Sequence, residues 1–74
     1  MGGIFIADFG VQDNVKMYRA NGNKEDLVEL VHECNKAGAK FTEKPNLEYV
    51  HKNEWTVLLK IRLPIGVVMH GNVV

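Results

Sequence analysis

Carboxylates, histidines and a single cysteine are the residues of this chain that chemistry would recruit first. Glu29-Leu30-Val31-His32 has the Glu-x-x-His spacing of a carboxylate-bridged metal half-site. Such sites need four long helices to complete them, and 74 residues with one short helical pattern do not supply those. Glu25, Glu29 and Glu33 recur every fourth residue, so a helix puts them along one side. That stripe reads as a solvated acidic face and, if it binds anything, as an acidic docking surface. His32, His51 and His70 are spread over the chain rather than clustered at ligand spacing, so no metal is expected. Cys34 lies late in the helical pattern, away from the N-terminal dipole that would favour a thiolate, and no His or Asp stands at a partner spacing. It reads as a small core residue. The chain contains no serine, and Thr42 and Thr56 are isolated, which closes most hydrolase schemes. The scattered glycines do not form a phosphate loop. No cofactor and no enzymatic activity are expected.

Lys60 and Arg62 are the other candidates. They alternate with apolar residues in "EWTVLLKIRLP" and so project from one face of a strand. Lys16, Tyr18 and Lys52 are expected on that same outer face of neighbouring strands. Basic groups beside an aromatic on an open sheet can hold phosphates and stack a base. Outer-face lysines are equally an ordinary guard against aggregation. Nine basic and nine acidic residues give zero net charge, which argues against a general nucleic-acid partner.

The elements that must position these residues follow from periodicity. "GIFIADFGV" alternates, with Phe5, Ala7, Phe9 and Val11 on one face and Ile4, Ile6 and Asp8 on the other. Both faces are largely apolar, which is the signature of a central strand or one covered on both sides. "QDN" turns the chain into "VKMYRA", so residues 3–20 read as a hairpin. Asn23 is a good N-cap, with Asp26 three residues on. Leu27, Val28, Leu30, Val31, Cys34 and Ala37 form a stripe of 3.6-residue period, and Gly38 is the natural stop. "FTEKPN" reads as a connector, "LEYVHK" as a strand, and Asn53-Glu54 as a turn. In "WTVLLKIRL", Trp55, Val57, Leu59, Ile61 and Leu63 share one face, and this strict alternation fixes the register. Pro64 ends that strand, and Val67, Val68 and Met69 read as a short last one. The fold class is α+β. A single antiparallel sheet in the order ββαβββ carries one amphipathic helix on one face, against Trp55, Val57, Leu59, Ile61 and Leu63 joined by Phe5 and Phe9.

Residues 1–74 make one domain, and a core of this size is usually stapled by a disulfide, a metal or a partner subunit. One cysteine cannot form an internal disulfide, and a 46% hydrophobic composition favours a homo-oligomer, dimer or higher. Val67, Val68 and Met69 are the expected seam. The N-terminus lacks a basic region before its apolar residues, and Ile6 stands where a myristoylation motif wants Ser or Thr. There is no run of about 20 apolar residues, so no membrane partner is expected, and the lone cysteine suits a reducing cytoplasm. Two functional expectations follow. The first is a non-enzymatic, homo-oligomeric inhibitor that binds and blocks a larger protein, as a phage-encoded anti-defence protein would. The second is a homo-oligomer that sequesters a small phosphate-bearing ligand such as a nucleotide, with Lys60, Arg62 and Lys16 on the phosphates and Tyr18 or Tyr49 stacking.

Overall fold

The computed structural model describes residues 3–63. Within them the order is β1 (Phe5–Gln12), β2 (Val15–Gly22), α1 (Lys24–Lys36), β3 (Glu48–His51) and β4 (Glu54–Arg62). The strands form one antiparallel sheet in the order β1-β2-β4-β3, with the helix packed on one face, so the chain is α+β. The expected final strand, Val67–Met69, lies outside the described residues.

Both hairpins close through two residues in the left-handed region: Asp13 and Asn14 (φ 55° and 63°), then Lys52 and Asn53 (φ 51° and 63°). Two such residues match the right-handed twist of the flanking strands. The second turn is therefore one residue earlier than Asn53-Glu54, and Glu54 already belongs to β4. The helix begins as its sequence dictates. Asn23 has extended backbone, and its side chain accepts a hydrogen bond from the Asp26 N–H at 2.9 Å. It ends on Gly38, whose φ of 95° only glycine adopts cheaply. There the Gly38 N–H donates to the Asn35 carbonyl and the Ala39 N–H to the Cys34 carbonyl, both at 3.0 Å. Those two bonds satisfy carbonyls that a helix end otherwise leaves open.

Ala20, Leu27, Val57 and Leu59 form the buried centre, with Ile4, Tyr18, Leu30, Val31, Phe41, Leu47 and Trp55 packed around it. The helix contacts β2 and β4, the two middle strands. Val28 and Ala37 of the apolar stripe are exposed, so the buried side of α1 is narrower than its periodicity suggests.

Phe5 and Phe9 do not join the helix face. The register pairs Phe5 with Asn21 and Ile6 with Ala20, and Ala20 in turn with Val57. Directly opposed residues share a face, so Ile6 lies on the helix side and Phe5 on the outer side. The even-numbered alternation of β1, not the odd, is thus in phase with the core. After Asp8 a bulge sets two residues, Phe9 and Gly10, against Met17, and Val11 then pairs with Lys16 on the helix side. The inserted residue reverses the phase, which separates Val11 from Phe5, Ala7 and Phe9. Nor is β1 a central strand: among the described residues it pairs on one side only.

Candidate interaction surface

The helix covers one face of the sheet. The opposite, outer face is assembled from alternate residues of three strands: Phe5, Ala7 and Phe9 of β1, Val15, Met17, Arg19 and Asn21 of β2, and Thr56, Leu58, Lys60 and Arg62 of β4. Its middle is ordered by polar contacts. The Arg19 guanidinium donates to the Thr56 hydroxyl at 3.1 Å, and Thr56 donates to the Ala20 carbonyl at 3.2 Å. The same guanidinium lies 5.9 Å from the centre of the Phe9 ring, within range of a cation–π attraction. Arg19 thus links the exposed aromatic margin to the buried sheet centre. Phe5 is 69% exposed and Phe9 53%.

The expected basic cluster divides between the two faces. Lys60 and Arg62 stand on the outer face, opposite Met17 and Val15. Lys16 and Tyr18 are opposite Ile61 and Leu59, on the helix side. The one-face expectation is corrected because β2 enters the sheet with its even-numbered residues towards the helix. Lys16 is engaged by the Asp8 carboxylate at 2.9 Å and lies 5.4 Å from the Tyr18 ring centre. Lys60 is engaged by Glu43 at 3.5 Å. Glu25, Glu29 and Glu33 are all exposed on α1, as the four-residue repeat requires. Lys52 is a turn residue rather than a sheet-face one. Val67, Val68 and Met69 lie outside the described residues.

Asp8 has a second role that its sequence position conceals. Its carboxylate also accepts the Gly10 N–H at 2.8 Å, tying down the bulge, where Gly10 has φ 87°. The Lys16 hydrogen bond first, and the Gly10 N–H second, hold the Asp8 carboxyl below its ordinary value. The Lys16 ammonium is correspondingly raised, chiefly by Asp8. The Cys34 thiol is raised, first by burial and then by the neighbouring Glu33 charge, so a nucleophilic thiolate is disfavoured.

The far edge of the sheet is closed differently. Beside the C-terminal half of β4, Arg62 donates its N–H to the Lys40 carbonyl at 2.8 Å and Thr42 donates its N–H to the Lys60 carbonyl at 2.9 Å. Phe41 bridges Ile61 between them. Residues 40–42 and β3 therefore line β4 in turn, interrupted by a stretch containing Pro45. The sequence reads 40–42 only as connector, because three residues are too few to show alternation. Tyr49 and Trp55 pack edge to face with ring centres 5.5 Å apart, and the Lys24 ammonium lies 5.0 Å from the Trp55 ring.

No group of three or more His, Cys, Asp or Glu residues among those described is arranged to hold a metal ion. No helix of the described residues is long and apolar enough to cross a membrane. No protein-family model, curated protein or solved structure matches the chain.

Proposed function

We propose that this chain is a non-enzymatic interaction protein, assembled as a homo-oligomer, that binds and blocks a larger protein through the outer face of its sheet. The observation that carries the reading is the outer face itself, which no element among the described residues covers. Phe5 and Phe9 stand 69% and 53% exposed beside Met17 and Leu58, with the charges of Arg19, Lys60 and Arg62 among them. Aromatic and other apolar anchors with arginine among them are the composition that protein interfaces favour. A single cysteine, Cys34, suits a reducing cytoplasm. Placing the protein among phage-encoded inhibitors of host defence rests on its size and composition alone.

The ligand-sequestering alternative has less support. Lys60 and Arg62 stand on the face opposite Lys16 and Tyr18, and two of its three cations already have carboxylate partners. Native mass spectrometry of the protein purified from cells tests the reading. The expected spectrum shows protein without a small-molecule adduct. A nucleotide-sized adduct lost in the Lys60→Ala, Arg62→Ala double variant would contradict it.

A further inference from the structure

β1 has the composition of a sheet interior and the position of a sheet edge. Four of its side chains are large, apolar and exposed: Phe5 and Phe9 on the outer face, Ile6 (49%) and Val11 (55%) on the helix side. From Phe5 to Asp8 the ladder is regular and among the described residues it is paired on one side only, and such an apolar edge segment is a template for another strand. The opposite edge lacks this character, being broken around Pro45 and bordered by Glu43, Lys44, Glu48 and Lys52.

We propose that a second copy of this chain adds to β1 in antiparallel register about a twofold axis through Ile6, joining the four described strands of each copy edge to edge in one sheet. This rests on the interaction-protein reading and names the seam of its oligomer. The twofold requires opposed residues to share a face, so the axis falls on a residue rather than between two. On Ile6 it opposes Ile6 to its own copy, Phe5 to Ala7 and Ile4 to Asp8. Large side chains meet small ones on the outer face, and the regular ladder from Phe5 to Asp8 is used while the bulge after Asp8 stays outside it. Charge permits the contact as well. Asp8 is the only charged residue of β1, Lys16 of its own chain neutralises it, and the two Asp8 residues lie at opposite ends of the paired segment. An axis on Asp8 would set the carboxylates face to face.

The exposed surface limits the strength of the dimer. Of the large exposed side chains only Phe5 and Ile6 fall within the paired segment, and at roughly 200 Å² for a full aromatic side chain the exposed part of Phe5 is about 140 Å² per copy. With the exposed half of Ile6 the total is on the order of 200 Å², about a quarter of what each partner gives a standard interface. The dimer is therefore expected to dissociate on dilution. Its pairing brings the two outer faces side by side as one continuous surface.

The test is position-specific cross-linking in a Cys34→Ala background, with a short bis-maleimide and single cysteines at positions 6, 5, 50 and 29. Strong cross-linked dimer from Ile6→Cys, at least roughly tenfold above Val50→Cys and Glu29→Cys, is the expected result. Phe5→Cys alone should cross-link weakly, and Phe5→Cys mixed with Ala7→Cys strongly. A dimer that cross-links best at 50 or 29 would overturn the proposal. So would a protein that stays monomeric and free of adducts at all concentrations, although the binding role of the outer face would then still stand. Should the full chain be monomeric and a form ending at residue 64 dimerise, the edge belongs to the chain's own last residues and the proposal fails. A dimer held by a nucleotide-sized ligand would overturn both this inference and the interaction reading.

Discussion

The two edges of the sheet obey opposite rules. On the β3 side the chain changes partner stretches along β4, bridging at Phe41, breaking around Pro45 and resuming at Glu48. Charged residues border that line, and only four residues form a true strand. On the β1 side eight residues run beside β2, regular from Phe5 to Asp8 and bulged after it, with one charge and four exposed apolar side chains. Val50 of β3 and Ile6 of β1 are almost equally exposed, at 46% and 49%. Exposure therefore does not separate the edges. What separates them is whether the neighbouring backbone is regular enough to accept another strand. A broken, charged edge discourages pairing, whereas a regular apolar one invites it.

The largest expected effect lies beneath both edges. Leu27 is fully buried against the two middle strands, so Leu27→Ala should cost about 2–5 kcal/mol. Denaturant titration measures the loss, and amide exchange should show β1 and β3 opening together. If β1 opened alone, the comparison would be between a stable edge and a frayed one rather than between two kinds of edge.

Gly10→Ala should cost less, about 1–2 kcal/mol, because φ 87° strains any residue with a Cβ. The cost should fall on the β1 side alone, visible as chemical-shift changes from Phe9 to Met17 that leave Tyr49 and Trp55 unmoved. A neutral substitution would mean that the bulge is not held in this geometry.

The smallest effect is the titration of Asp8. Its folded value is lowered, so the contribution of the pair is fully present above the unfolded carboxylate value of about 3.9 and is lost as pH falls through the lowered one. The raised Lys16 contributes fully below the unfolded lysine value and loses its contribution as pH rises through the raised one. The pair faces water, so the stability change should be slight. In Lys16→Met, carboxylate NMR should show Asp8 moving back towards its ordinary value. An unchanged titration would show that Lys16 does not hold the Asp8 carboxylate in solution.

Much of the helix was legible in the sequence because its signals are local. Asn23 caps it, Asp26 supplies the third N–H, and Gly38 stops it. β4 was equally plain, since five apolar residues in strict alternation leave one register. β1 was not. "GIFIADFGV" is apolar in both phases, so hydrophobic pattern alone cannot choose which phase faces the helix. Pairing with Ala20, whose other neighbour is the buried Val57, makes that choice, and the contact is long-range. The bulge adds a phase reversal that no window of alternation reveals. The same long-range pairing places Lys16 and Tyr18 beside Ile61 and Leu59, away from Lys60 and Arg62. A strand that reads as central and lies at an edge is itself informative, because it marks where covering surface is lacking among the described residues.

Sedimentation equilibrium of the wild-type chain beside Ile6→Glu and Val50→Glu tests that difference most directly. The two substitutions place the same charge at matched exposure on opposite edges. The wild type and Val50→Glu should approach twice the 8.3 kDa chain mass as concentration rises, while Ile6→Glu remains at the single-chain mass. Equal loss of assembly in both variants, or none in either, would contradict the assignment of β1 as the pairing edge.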